Sequence, residues 1–419
     1  MNLLEDLKFR GLIHQCTDLE GLAKKLAEGS IRLYAGFDPT ANSLHIGHLL
    51  PILTLRRFQL AGHSPYALVG GSTGLIGDPT GRSVERPINT KETVEAWTES
   101  IKLQLSRFLE FDHAPNAARV FNNYDWFASI NIIEFLRDCG TCFTINYMLA
   151  KETVQSRLNQ GVSFAELSYM LLQAYDFAFL HKEYDCALQI GGSDQWGNIT
   201  AGLEMIDKVL HKKAYGLTMP LVMKKDGTKF GKTAGGAVWL DPQLTSPYEF
   251  YQFWLNTDDA DVVPFLKYFT FLECEEILEY EEALTNKPEE RAAQRALAKE
   301  VTALVHGGQE ASTCEKASEI LFRGELHLLA PDDLEAVSCG VSTIQVDKRE
   351  KMTLLELLIL SGAAPSKRQA REDFQAGAVY LNGFKATDPD LVVGEGQRLH
   401  QAYAVIRRGK KSYHLVKFQ

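Results

Sequence analysis

The chain has 419 residues, 45% apolar and 23% charged, enough for roughly two to four domains, and this composition excludes disordered, collagen-like and disulfide-scaffold proteins. Its 7 cysteines are few and odd in number, and no uninterrupted stretch of about 18 apolar residues suggests a membrane span. The net charge of −10 argues against non-specific nucleic-acid binding by the whole chain, but residues 351–419 hold eleven Lys/Arg against six Asp/Glu, a local +5 that leaves −15 on residues 1–350.

Residues 1–10 mix charges into their apolar positions and lack the apolar core of a signal peptide, which points to a cytoplasmic protein. The pattern then predicts a strand over 31–35, a helix over 47–60, a strand over 66–70 and helices over 90–111 and 163–180. Strands follow over 187–190 and 218–223. Such alternation predicts an α/β domain with a parallel sheet, whose ligands sit at the carboxyl ends of the strands. Residues 245–325 read as helical, opened by Pro247 and punctuated by Gly307-Gly308 and Gly324, and 326–350 as a connector around Pro331. The basic module from 351 predicts a helix over 366–372, a strand running into the Asn382-Gly383 hairpin turn, and a strand–turn–strand over 405–413.

The candidate chemistry lies just after the strands. The loop after the first leads to His45-Ile-Gly47-His48, which places two histidines at i, i+3 near a helix N-terminus, suited to phosphate. A capping or core role is the plain alternative, and the zinc spacing of i, i+4 with an intervening Glu is missing. Gly70-Gly-Ser-Thr-Gly-Leu-Ile-Gly-Asp78 is not a dinucleotide loop, and Asp78, Arg82 and Arg86 follow as charges that are either solvated or phosphate-facing. Lys229-Phe-Gly-Lys232-Thr233 lacks the first glycine of a P-loop and reads as a loop with two lysines for a leaving pyrophosphate, or as a lysine-rich hairpin. Tyr169, Gln173 and Asp176 share one helix face, either a solvated stripe or a buried polar site needing partners. Asp194, after Gly191-Gly192, suits a ribose or a helix cap. Cys139-Gly-Thr-Cys142 has no second pair to complete a zinc site and reads as ordinary thiols.

Together these pieces resemble the tyrosyl-tRNA synthetases of bacterial type, class I aminoacyl-tRNA synthetases, over essentially the whole chain. His45-Ile-Gly-His48 matches their HIGH motif, and Lys229-Phe-Gly-Lys-Thr233 looks like their variant of KMSKS. The Tyr169/Gln173/Asp176 helix and the Gly191–Gln195 turn match between them, and the basic end is similar to an S-four-type RNA-binding domain. The resemblance implies a Rossmann-like catalytic domain over 1–222, the KMSKS-like loop with an α-helical anticodon-side domain over 223–325, a linker over 326–350 and a small α+β RNA-binding domain over 351–419. It implies formation of tyrosyl-adenylate from L-tyrosine and ATP, then transfer to the 3′ end of tRNA(Tyr), with Mg²⁺ accompanying ATP, no tightly bound cofactor and no membrane partner.

Carried onto this sequence, the resemblance puts Tyr34 and Asp176 on the substrate phenol. Asp78, Tyr169 and Gln173 take its ammonium, and Gln195 lies near its carboxylate. The nucleotide side comprises Gly36, Asp38, Gly47, His48, Arg82, Arg86, Gly192, Asp194 and Lys232, with Asp194 on the ribose. Thr40, His45, His48, Lys229, Lys232 and Thr233 form the catalytic set. Lys367, Arg368, Arg371, Arg407, Arg408, Lys410 and Lys411 face RNA. A homodimer is implied, with one tRNA lying across both subunits and helices near 130–138 and 163–180 as candidate surfaces. Arg82 stands where Lys is common in the family, Ala35 where Cys is common, and Pro51 lies in the early turns of its helix, where it removes a donor and favours a bend.

Three other readings remain at this level. Tryptophan specificity on a related fold is opposed by Tyr34 and Asp176, which suit a phenol. A nucleotidyltransferase with a HIGH-like motif is opposed by the long helical region and basic end. An RNA-binding protein without catalysis is opposed by the intact His45, His48, Lys229 and Lys232.

Overall fold

The computed structural model describes the chain except residues 80–88, 113, 156–160, 224–229, 234–235, 324–325, 327–329, 333, 335–337, 339–340 and 410–411, with backbone alone at 152–153, 232–233 and 322–323. Arg82, Arg86, Lys229, Lys410 and Lys411 therefore lie outside the described residues, as do the side chains of Lys232 and Thr233. The chain folds as two compact units, one of Met1–Asp241 with Ala260–Glu282, the other of Pro242–Asp259 with Ala283–Gln419.

The first unit is built on a six-stranded sheet: β1 (Gln15–Cys16), β2 (Arg32–Phe37), β3 (Ser64–Val69), β4 (Arg119–Asn122), β5 (Cys186–Gly192) and β6 (Tyr215–Met219). The order is β1-β6-β5-β2-β3-β4, parallel throughout except for the antiparallel edge strand β1. Leu33, Tyr34 and Ala35 are all buried, the unbroken burial of a parallel strand covered on both faces. From β2 the chain moves outward to β3 and β4, and later returns to place β5 and β6 on the other side. The order reverses between β2 and β5, and a doubly wound sheet has its crevice at that point, at the strands' carboxyl ends.

The helices follow their caps. Ser163 accepts from the Glu166 N–H and opens Phe164–Tyr184, which ends where Asp185 turns left-handed at φ 54°. Thr90 caps Lys91–Leu105, which stops short of the expected residue 111. After β2, a 3₁₀ turn over Ile46–His48 leads into the helix Leu49–Leu60. Pro51 is the third residue of that helix, where an N–H has no acceptor within the helix, so its missing donor costs little and the expected bend is not needed. Arg57 on this helix and Arg10 both donate to the Thr270 carbonyl, beyond the helix Asp259–Phe269. Asp6 bonds both guanidiniums. Burial pushes Arg57 down to about 9, and nearby Arg10 adds to the shift.

The loop's return segment stays with the first unit beyond the expected boundary at 222/223. β7 (Lys232–Thr233) pairs with β8 (Gly236–Ala237), and the Ile46 and Leu240 N–H groups bond the Val238 and Leu44 carbonyls across to the histidine segment. These backbone bonds put the lysine loop's stem in the first unit.

In the second unit Ser246 and Glu249 form a capping box with Pro247 at the first helical position, opening Pro247–Leu255. That helix packs with Ala292–His306 and Gly308–Arg323 around buried Phe250 and Trp254. The C-terminal sheet contains β9 (Ser342–Val346), β10 (Val379–Leu381), β11 (Phe384–Lys385), β12 (Tyr403–Arg408) and β13 (Ser412–Phe418), in the order β11-β10-β12-β13-β9. β9 runs parallel to β13 and comes from the stretch expected to be a linker, so the module begins before residue 351. Its half-buried edge position gives too little alternation to stand out from the turn signals before it. Among the described residues no helix is long and apolar enough to cross a membrane.

Candidate active site

Two polar chains run through the first unit, built from β2 and from segments that follow β2, β3, β4 and β5. Tyr34 rises from β2, 1% exposed, against the ring of Phe177, and its hydroxyl has no hydrogen-bond partner among the described residues. Burial, and then the nearby Asp176 carboxyl, hold its phenol well above the usual range. Asp176, 2% exposed, accepts from Trp126 Nε1 at 2.9 Å and from Asn123 Nδ2 at 3.1 Å. Burial raises its carboxyl to about 8 against the opposing pull of those two donors. Asn123 Nδ2 also donates to Thr73 Oγ1 at 3.0 Å, Thr73 donates to Asp38 Oδ1 at 2.7 Å, and Tyr169 Oη donates to Asp38 Oδ2 at 2.7 Å.

The second chain starts at Asn198, whose Nδ2 donates to Gln173 Oε1 at 2.9 Å and to Gln195 Oε1 at 3.2 Å. Gln173 Nε2 donates to Gln195 Oε1 at 3.2 Å, and Gln195 Nε2 to Asp78 Oδ2 at 2.8 Å. Tyr169, Gln173 and Asp176 are therefore not a solvated stripe: each makes hydrogen bonds, and Tyr169 and Asp176 are buried. Burial, followed by the Asp38 and Asp78 carboxylates, keeps the Tyr169 phenol well above its ordinary value, so it serves as a donor at neutral pH. One region of the first unit thus presents a phenol–carboxyl pair, a tyrosine–aspartate pair and an amide–carboxylate relay.

The histidine segment follows β2. Gly36 lies within the strand, Asp38 just past it, and Thr40 is exposed in the loop beyond. The Gly47 N–H donates to His45 Nδ1 and the His45 N–H to His48 Nδ1, both at 3.1 Å. A backbone N–H only donates, so each ring accepts at Nδ1 and carries its proton on Nε2. Burial lowers the pKa of His45, which keeps that ring neutral at neutral pH. A Cβ on Gly47 would stand 2.8 Å from the His45 ring, so any side chain there would push the ring aside.

Gly192 ends β5 and caps the 3₁₀ turn Ser193–Gln195, while Gln195, not Asp194, is the N-cap of the helix Trp196–Leu210. The capping reading of Asp194 is thereby removed. Phe230, beside the expected lysine pair, packs its ring against Phe265 and Phe269 at centroid distances of 4.9 and 5.3 Å. Gly231 adopts φ +84°, a left-handed turn that glycine permits, and Lys232 follows on β7.

In the C-terminal module Lys367, Arg368 and Arg371 are exposed on the helix Lys367–Gln375. Arg407 stacks on Tyr380 with its guanidinium carbon 3.8 Å from the ring centroid. Arg408 differs from its expected part: Nε meets Asp373 Oδ2 at 2.6 Å and Nη1 donates to the Ala363 carbonyl at 3.1 Å, which commits this guanidinium to the module's own packing. Successive residues of β12 face opposite ways, and that alternation separates the two arginines. Cys139 and Cys142 are buried thiols, and burial pushes Cys139 up to about 12. Among the described residues no group of three His, Cys, Asp or Glu is placed to hold a metal.

Four partners in these chains were not anticipated from sequence: Thr73, Asn123, Trp126 and Asn198. Asn123 and Trp126 follow β4, so a search after every strand would have met them had Arg119–Asn122 been legible as a strand.

Three comparisons with known proteins agree. The model of the tRNA synthetases class I (W and Y) matches residues 26–323, and that of the tyrosine--tRNA ligase SYY-like C-terminal domain matches 333–416. The chain is 58% identical over 420 residues to tyrosine--tRNA ligase 1 of Bacillus subtilis (strain 168), with the full length of both covered. It is likewise 58% identical over 419 residues to the tyrosine--tRNA ligase of Bacillus velezensis, again over all of both chains. The solved C-terminally truncated mitochondrial tyrosyl-tRNA synthetase of Aspergillus nidulans superposes with a TM-score of 0.69 at 34% identity, covering 77% of this chain and 94% of that one.

Proposed function

The chain belongs to the class I tRNA synthetases (W and Y), and from that premise we propose how its residues divide the work of a tyrosine–tRNA ligase. The enzyme activates L-tyrosine with ATP to tyrosyl-adenylate and diphosphate, then passes the tyrosyl group to the 3′ end of tRNA(Tyr). The first step needs no general base, because the attacking group is already a carboxylate. The protein must position it and stabilise charge on the α-phosphate and leaving diphosphate.

Tyr34 and Asp176 bind the phenol: the carboxyl accepts a hydrogen bond from its hydroxyl, and the partnerless Tyr34 hydroxyl donates to its oxygen. Tyr169, Gln173 and Asp78 take the ammonium, and Gln195 steers the carboxylate. Asp38 joins the ammonium end through its bond from Tyr169 and borders the nucleotide. Gly36, Gly47, His48, Gly192 and Asp194 line the nucleotide side, Asp194 on the ribose. Thr40 and the Nε2–H groups of His45 and His48 meet phosphate oxygens. Arg82, Arg86, Lys229, Lys232 and Thr233 complete the phosphate side. Groups that engage only as charge develops raise kcat without tightening ground-state binding. Mg²⁺ enters with ATP as part of the substrate complex, held chiefly by phosphate oxygens.

Lys367, Arg368, Arg371 and Arg407 are the RNA-facing cations, with Lys410 and Lys411 alongside. Arg408 supports the module instead. The protein works in the cytoplasm, where ATP and tRNA are found. It is a homodimer, paired through the apolar side chains left exposed on Ile132–Asp138, Ile145–Leu149 and the start of Phe164–Tyr184. Ile133 is 68% and Phe164 74% exposed, and the Phe135 and Tyr175 rings, 6.0 Å apart, hold two of these helices together. A second copy is the occupant such a face calls for.

The single observation that carries the tyrosine assignment is the buried Tyr34–Asp176 pair at the switch point of the sheet. Its test is charging of a tRNA(Tyr) transcript with tyrosine and with phenylalanine. Tyrosine alone should be attached. For tyrosyl-tRNA synthetases that preference is about 10⁵-fold, a family value rather than one obtained from these residues. Comparable charging with phenylalanine would remove the pair from the substrate pocket.

A further inference from the structure

The His45 ring is held from three directions, and one of the holding groups comes from far along the chain. Gly47 lies beneath the ring and its N–H occupies Nδ1. His48 lies beside it, its ring tilted by 32° with centroids 4.0 Å apart. Trp239 presents its indole at 6.1 Å with the ring planes 62° apart, an edge contact. The backbones of His45 and Trp239 pair in an antiparallel bridge, flanked by bonds from the Ile46 N–H to the Val238 carbonyl at 3.0 Å and from the Leu240 N–H to the Leu44 carbonyl at 2.9 Å.

Trp239 lies in the segment that returns from the lysine loop. The Val238 N–H bonds the Gly231 carbonyl at 3.3 Å, and a Cβ on Gly231 would stand 3.0 Å from Ile46 Cγ1. Lys232 and Trp239 therefore lie on either side of one short hairpin, docked against the histidine segment. A donor serves a developing charge only if it is held to within about 0.5 Å, and a misplacement of about 1 Å costs on the order of 10²-fold. The Gly47 bond fixes which nitrogen carries the proton, while the indole limits where the ring swings.

We propose that Trp239 is a positioning residue for the first reaction step: its indole aims His45 at the phosphate, so that the histidine segment and the lysine hairpin are set in place together. The proposal rests on His45 meeting phosphate in the reaction described above.

The test is a double-mutant cycle on tyrosine-dependent ATP–pyrophosphate exchange with the full-length enzyme, using Trp239→Leu, His45→Ala and the pair. Trp239→Leu should lower kcat about tenfold and leave tyrosine affinity unchanged, because a displaced donor is lost only at the charged centre. Trp239→Phe should restore most of the rate. In the His45→Ala background Trp239→Leu should cost nothing further. A full additional loss in that background, or equal losses in kcat and tyrosine affinity, overturns the proposal. If Trp239→Leu lowers the melting temperature, the cycle is repeated with Trp239→Met and Trp239→Gln, and a full additional loss in the His45→Ala background again overturns the proposal. If His45→Ala leaves exchange intact, the phosphate role of His45 fails. If it slows exchange while Trp239 substitutions change nothing, only the positioning role fails.

Discussion

Asp176 shows how one carboxyl carries both a stability cost and a specificity. It sits 2% exposed between the Asn123 amide and the Trp126 indole, and burial raises its pKa to about 8. A folded-state value above the ordinary carboxylate range means that the folded protein holds the proton more tightly than the unfolded chain. The stabilising contribution is complete below that ordinary range and is lost as pH rises through about 8. Denaturant unfolding from pH 5 to 9 should show this decline, and Asp176→Asn should flatten it; an unchanged slope would mean that Asp176 ionises freely in the fold. The same substitution should erode the preference for tyrosine over phenylalanine by about two- to tenfold, since a hydrogen bond between neutral groups is worth roughly 0.5–1.5 kcal/mol. Binding constants for the two amino acids measure this directly, and an unchanged ratio would take Asp176 out of the phenol contact. Asn123 and Trp126 belong to the same unit: without either donor the carboxyl keeps its burial and loses part of its compensation.

The elements explain why some of the site is legible in sequence and some is not. The histidine segment, the Tyr169–Asp176 face and the turn after β5 are local patterns, each within a few residues, so their chemistry can be read along the chain. The polar chains that orient them are not local: Asn123 reaches Asp176 across 53 positions and Tyr169 reaches Asp38 across 131. Strand β4, which delivers Asn123, is a four-residue Arg-Val-Phe-Asn edge with no inward-outward alternation to detect. Strand β9 escapes notice for the same reason, and with it the true start of the C-terminal module. The lysine hairpin is the element with the clearest functional consequence. Lys232→Ala should slow adenylate formation by about 10²–10³-fold, the cost of removing one preorganised charge-stabilising group, with tyrosine affinity nearly unchanged. Single-turnover adenylation and equilibrium tyrosine binding separate these effects, and a comparable loss in both would place the loop in ground-state binding instead.

Across the chain, the proposed division gives the acidic body adenylation and the basic end a contact with tRNA. Removing residues 333–419 takes away the whole C-terminal sheet rather than cutting into β9, and should spare adenylation while weakening tRNA charging. Equal loss of both would assign the module a structural duty toward the catalytic unit. The exposed apolar side chains of 132–164 make a second prediction: Ile133→Glu with Phe164→Glu should shift the protein from dimer to monomer in sedimentation, because each places a charge on a face that a second copy would desolvate. A dimer that persists would move the interface elsewhere. If this chain selects tyrosine by its phenol and activates it with ATP, amino-acid-dependent ATP–pyrophosphate exchange should occur with tyrosine alone among tyrosine, tryptophan and phenylalanine. Exchange with tryptophan, or with none of the three in a folded protein, would overturn that selection.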